Sequence, residues 1–476
     1  MSQGGEDQCK GKRRECCVFL RIFGSFRMGF HWSKLLPAFC GIVVTCCAGT
    51  LLDWVWPAGS QPAVGGLPGY SITELDHYLA APANAVATTE GWIKAMEKAG
   101  QMHHVGVFEL LLHHARLTVD TITASVIHAD LGGIVDGFLR GFRGPAWVTA
   151  MHPLYAAIFC LILVAIWAFF GGAISRAAVL DVSRDEKISL RESFAFAKSH
   201  YLSFATAPLI PIGFVLLGGL ALWVGGLVGA IPAVGEIIVG LTFFLALLAG
   251  FLIALVIVCG AGSLPMLMPA IAADNLDALD ALSTTYSYVG ARPWKTIFYA
   301  FLATCYGAAC IVFLKLFVMI MLWAVGHFVG ASMNWGDAYA LNAAGAKVKV
   351  ASKLDAMWQA PTFDGGRPFF GTFDKQSLRH VSWFGQWCLK VWIYALWGLV
   401  AACVVGFFYS ASSVIFFLLR RDVDLTDIEE CYLEEAQADD AAPAQPPETP
   451  APEPTQAPAS EPPKDSPKPD NPPADS

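Results

Sequence analysis

The sequence predicts an all-α polytopic membrane protein with about six transmembrane helices, amphipathic interfacial helices and a disordered C-terminal tail. Three observations carry that expectation. First, 55% of the 476 residues are hydrophobic and only 15% are charged. A typical soluble domain is about 25% charged, so this chain has too little charge to solvate a globular surface. Second, the apolar residues are gathered into six long runs almost free of Asp, Glu, Lys and Arg. Third, the charge is segregated: residues 1–421 hold 29 Lys/Arg against 24 Asp/Glu, while residues 422–476 hold 2 against 15. The net charge of −8 therefore belongs to a tail and not to a folded domain. A soluble enzyme and a nucleic-acid binder built on a basic fold are both excluded.

The elements follow in chain order. Residues 1–34 form a basic, interfacial segment placed in the cytoplasm. Within it Phe19, Ile22, Phe23, Phe26 and Phe30 recur at helical spacing, with Arg21 off that stripe. That pattern fits a helix at 18–32 lying on anionic lipid, or else a plain extension of the first span. The membrane domain covers 35–421, with spans near 35–53, 149–172, 204–230, 236–262, 297–323 and 389–419. Each offers the roughly 20 apolar residues that a core of about 30 Å demands. The lead of about 34 residues and the length of the first run favour an uncleaved anchor over a signal peptide.

Lys10, Lys12, Arg13, Arg14, Arg21, Arg27 and Lys34 all precede the first span. Basic flanks mark the cytoplasmic side, so both termini are expected there, in a bacterial inner membrane. The exported segments then fall at about 54–147 and 327–388. None of the 13 cysteines lies inside either one, with Cys388 at a boundary, which agrees with thiols kept from an oxidising compartment.

In the first exported segment Ser71-Ile-Thr-Glu74 reads as a capping box. Leu131, Ile134, Val135, Phe138, Leu139 and Phe142 form a helical stripe that needs cover from the bilayer surface or another helix. The second segment contains the alternating Lys347-Val-Lys-Val-Ala351 and is expected to hold short helices and a hairpin. The cytoplasmic loops, 173–203 and 274–295, share one plan: span, polar helix, aromatic re-entry. A shift of 89 residues superposes Asp185 on Asp274 and Leu190 on Leu279, the trace a duplicated hairpin would leave. Residues 422–476 are acidic, and 13 of the 28 prolines lie in 443–473. Such a segment is expected to be a solvated spacer, with a possible protein partner.

The stretch Ala270–Ala300, with Ala278-Leu-Asp-Ala-Leu282, Ser287-Tyr288 and Gly290-Ala-Arg-Pro-Trp294, resembles uncharacterised bacterial multi-pass proteins, including the membrane domain attached to some glycerophosphodiester phosphodiesterases. The resemblance implies fold and location. It brings no catalytic residues, because that chemistry belongs to a separate soluble domain.

Motifs for enzymatic chemistry are missing: GxxxxGK[ST], HExxH, GxSxG and DxDxDG do not occur. No catalytic residue and no cofactor is expected. His103, His104, His113 and His114 are weak metal candidates. On one helix His103 and His114 would stand about 16 Å apart, so only a fold back at Gly106 could unite the pairs. Gly218, Gly225 and Gly229 in the third span are candidate packing positions, against the fourth span or a second copy. Lys315 is the charge within the fifth span, and Glu236 and Asp53 are its candidate partners; snorkelling and an aqueous crevice are the alternatives. The function expected is a non-enzymatic structural or scaffold protein, with a transporter or channel built on the repeated hairpin as the alternative. Oligomeric state is left open.

Overall fold

A computed structural model describes residues 18–427 apart from 63–70, 81–83, 100–102, 233, 334–338, 342–346, 350–352, 362–369, 372 and 374–381. A 3-10 turn, Val18–Gly24, leads into α1 (Ser25–Gly29) and α2 (Trp32–Asp53). Then come α3 (Glu74–Ala80), α4 (Ala85–Ala99), α5 (Val107–Ile127) and α6 (Leu131–Met151). The second half of the chain comprises α7 (Pro153–Arg184), α8 (Leu190–Ser199), α9 (Tyr201–Thr206), α10 (Leu209–Gly229), α11 (Val234–Asp274), α12 (Ala278–Ala291), α13 (Pro293–Ser332), α14 (Lys353–Met357) and α15 (Trp383–Asp424). Among the described residues six stretches are long and apolar enough to cross a membrane: α2, α7, α9 with α10, α11, α13 and α15. The protein is an all-α polytopic membrane protein. Of the acidic tail expected at 422–476, only 422–427 lie among the described residues.

Several spans run past the ends that charge alone marked. α7 continues to Arg184 where a loop was expected from 173, and α15 reaches Asp424. The polar residues of these extensions find buried partners, so charge does not end the helix. What ends it is a residue in the left-handed region: Asp185 (φ 55°) after α7, Asn275 (φ 53°) after α11 and Leu425 (φ 58°) after α15. Asp and Asn tolerate that conformation through local hydrogen bonding, and it is a common way to close a helix. Ser189 then caps α8 with a reciprocal Ser189–Glu192 box, and Asp277 precedes α12. The two left-handed stops are 90 residues apart and the two N-caps 88 apart, so the shared plan of the two loops is a shared backbone order. Pro265 and Pro269 sit inside a continuous α11, whereas Pro208 separates α9 from α10.

The N-terminal stripe is only partly a lipid face. Ile22, Ser25 and Gly29 are buried. Tyr306 of α13 donates its hydroxyl to the Phe23 carbonyl at 2.7 Å. Gly29 lies on the α15 backbone, where an added Cβ would stand 2.8 Å from Phe407 N. Leu20, Arg21, Arg27 and Trp32 stay exposed.

Three strands, β1 (Pro57–Pro62), β2 (Ser71–Thr73) and β3 (His103–Gly106), form an antiparallel sheet in the order β2-β1-β3. The expected capping box at Ser71 is displaced: Ser71–Thr73 is strand, and Thr73 caps α3 against Asp76, whose N–H reaches Thr73 Oγ1 at 3.2 Å. Glu74 is unavailable for the box because it is buried and bonded elsewhere. Strands β4 (Tyr339–Leu341) and β5 (Lys347–Lys349) make the second segment's hairpin. Nearby, Trp358 packs with Val318, Leu322 and Ile393 of α13 and α15.

The largest core forms where the later halves of α7, α11 and α15 meet. Phe204, Met266, Ile271, Phe416 and Phe417 lie almost fully buried there. Small residues let the backbones close up. Gly171 faces Tyr409 and Met268, and the Tyr409 hydroxyl donates to Met268 Sδ at 3.6 Å.

Candidate functional site

The first polar centre belongs to that three-helix junction. Lys34, at the start of α2, is 1% exposed and pairs with Asp181 of α7. Each offsets part of the other's desolvation penalty, and either charge left alone there would be strongly destabilising. Five residues earlier on α7, Arg176 donates from Nη1 to the Ala272 carbonyl at 2.7 Å and lies 4.3 Å over the Phe196 ring. Ala272 is in the last turn of α11, whose carbonyls lack helical partners, so the guanidinium serves as a cap supplied by another helix. Arg420 pairs with Asp274 at 3.0 Å, and Lys295 with Asp422 at 2.9 Å. Tyr299 and Tyr288 donate to Asp422 and Asp424. Burial, reinforced by that Asp424 contact, raises the Tyr288 phenol above its ordinary pKa. From the sequence Lys34 reads only as an orientation marker. The available signal was the pair Arg176 and Asp181, five residues apart in a stretch, 173–184, that holds no Gly or Pro.

The second centre corrects the expected partner of Lys315. Its ammonium pairs with Asp120 of α5, not with Glu236 or Asp53. Glu236 is exposed in the first turn of α11. Asp53 is already engaged: its carboxylate accepts from the N–H groups of Phe108 at 2.7 Å and Glu109 at 3.2 Å. It thereby caps α5 with a negative charge where the helix dipole favours one. The error was to assume that α5 stood clear of the spans. One turn before Asp120, the Arg116 guanidinium lies 4.9 Å over the Trp397 ring of α15.

α5 and α6 form a hairpin joined by a glycine seam that sequence reading missed. Gly133, Gly137 and Gly141 follow at intervals of four, and Gly144 continues the face. They meet Ser125, Ile122, Thr118 and His114 of α5 in turn; a Cβ on Gly137 would come 2.6 Å from the Ile122 side chain. The interval of four is legible in the sequence, outside the six spans. At the hairpin's open end, Glu74 accepts from Trp147 Nε1 at 3.2 Å and contacts His152 Nε2 at 3.1 Å.

The histidine candidates go to separate places. His114 Nε2 contacts the Arg140 carbonyl at 2.9 Å, His113 is exposed on α5, and His104 is exposed on β3. The side chain of His103 lies outside the described residues. Among the described residues no three His, Cys, Asp or Glu side chains gather as metal ligands. Of the glycine candidates, Gly218 meets Ile253 and Gly229 meets Val239 of α11, while Gly225 has nothing within 4 Å. Two of the three thus serve packing against the fourth span.

No family model, no curated protein and no solved structure matches this chain.

Proposed function

We propose that the chain is a non-enzymatic scaffold of a bacterial inner membrane, with its N- and C-termini in the cytoplasm. One observation carries this: the charges within and beside the spans are used to tie helix to helix. Lys34–Asp181 joins the first and second spans, Arg176–Ala272 the second and fourth, and Arg420–Asp274 the sixth and fourth. Charges spent in this way make a fixed frame. The exposed Arg21 and Arg27 beside the first span suit contact with anionic headgroups. The acidic Pro-rich tail suits a spacer that carries a protein partner away from the bilayer. The resemblance of Ala270–Ala300 to multi-pass domains attached to phosphodiesterases fits a supporting role of this kind.

The alternative is a transporter or channel. It draws support from the paired order of left-handed stop, cap and amphipathic helix, and from the break at Pro208. Paired breaks are what midplane transport sites use, and α11 runs unbroken through Pro265 and Pro269, so the pair is incomplete. Purified full-length protein in proteoliposomes distinguishes the two. A scaffold leaves the flux of protons, monovalent cations and small organic anions at the level of empty vesicles. A saturable flux removed by Asp181→Asn or Lys315→Met would overturn it in favour of transport.

A further inference from the structure

The α5–α6 hairpin, Val107–Met151, lies outside the six spans, yet it is fastened to four of them. Asp53, closing α2, caps its first turn. Arg116 stacks on Trp397 of α15, and Asp120 pairs with Lys315 of α13. Only His152 separates α6 from α7. The positions of these anchors matter. Lys315 lies 17 residues inside the Ser332 end of α13, or about 25 Å along it, and Trp397 lies 14 residues, or about 21 Å, inside the Trp383 end of α15. The hairpin therefore lies along the apolar length of the spans and not beyond their ends.

Its two faces are unlike. The glycines of α6 close against α5. The opposite stripe, Leu131, Val135, Phe138, Leu139 and Phe142, is 45–68% exposed among the described residues. Such a stripe in water would be a large exposed apolar patch, which soluble surfaces avoid. Its neighbours show which medium it meets: Phe313, Leu316 and Phe317, beside Lys315 on the fifth span, are equally bare. On α6, at 100° per residue, Asp136, Arg140 and Arg143 fall about 95–155° from the stripe's centre line, all at one flank, so no charge interrupts the apolar face.

We infer that α5–α6 is a membrane-immersed hairpin. Its Leu131–Phe142 stripe contacts the acyl chains of the leaflet at the Asp53 end of α2, and Lys315–Asp120 is the polar latch that holds it against the spans. A charge pair on a lipid-facing helix costs less than a lone lysine, so Asp120 gives Lys315 a reason to stay at that depth.

The test is a benzophenone side chain introduced at Phe138, Phe142, Leu247 and Asp136, one at a time. The full-length protein is held in vesicles of phosphatidylethanolamine and phosphatidylglycerol. Leu247 is the bare control on α11 and Asp136 the polar control. After irradiation, Phe138 and Phe142 should carry lipid adducts, read by mass, with yields at least about tenfold above Asp136 and near those of Leu247. Adducts to a second copy or to another protein would overturn the inference. So would lipid yields at the Asp136 level while Leu247 reacts. Asp120→Asn should lower the yields at Phe138 and Phe142 and leave Leu247 unchanged; an equal fall at all three would show general unfolding and remove the latch.

Discussion

The junction of α7, α11 and α15 and the hairpin of α10 with the first half of α11 are both helical and both largely apolar, yet they are held in different ways. At the junction, small residues bring backbones together, and the buried charges Lys34, Arg176 and Asp181 meet partners on other helices. Along α10–α11 the two helices touch each other through Gly218–Ile253 and Gly229–Val239, and their other sides are bare. Trp223, Leu241, Phe244 and Leu247 are exposed, and Gly219, Gly226, Gly240 and Gly250 have nothing within 4 Å. Water does not drive association between such helices, because lipid is as apolar as the side chains. The lesson is that in this protein hydropathy decides which residues enter the membrane, while small residues and paired charges decide which helices adhere.

The largest effect that follows is at Lys34–Asp181. Asp181→Asn strands a buried ammonium, and a loss of about 3–5 kcal/mol is expected in reversible unfolding in micelles. Lys34→Met combined with Asp181→Leu should recover most of that loss, because the apolar pair leaves nothing unpaired. If the single variant unfolds like the unmodified protein, the junction is not held by charge.

Glycine substitutions sharpen the contrast. A Cβ at Gly406 would stand 2.7 Å from the Gly29 carbonyl oxygen, a backbone atom that cannot turn aside. Gly406→Ala should cost about 1–3 kcal/mol by overpacking. Gly226→Ala, which meets open space, should be neutral or slightly stabilising, by up to about 1 kcal/mol, through helix propensity. Equal losses at both sites, measured by thermal unfolding, would remove the distinction between the regions.

A smaller effect is expected at Lys315. Asp120→Asn should destabilise by about 1 kcal/mol, as a partly exposed pair would, and Glu236→Gln should leave stability unchanged. The reverse order would restore Glu236 as the partner. The smallest effect belongs to Lys295–Asp422, whose side chains are 47% and 25% exposed. Lys295→Ala should change stability by less than about 1 kcal/mol and less still at high salt.

The number of spans, their order and the helical class were legible from local sequence, because the cost of placing a charge or an open backbone in lipid is set residue by residue. The stripe on α6 was legible for the same reason: periodicity is a property of one helix. The interval of four in Gly133, Gly137 and Gly141 was equally local, and it escaped only because it stood outside a span. Partners were not local. Lys34 and Asp181 are 147 residues apart, and Lys315 and Asp120 are 195 apart; which carboxylate meets which ammonium depends on how helices cross. The same holds for helix ends. Charges at 173–184 announced a loop, and the tertiary structure kept the helix because Arg176 and Asp181 found buried partners on α11 and α2. Sequence alone determined that these segments enter the membrane, since that depends on each segment's own transfer energy. Only the tertiary structure decided what they hold there, since a buried charge is stable or ruinous according to a neighbour that the local sequence does not contain.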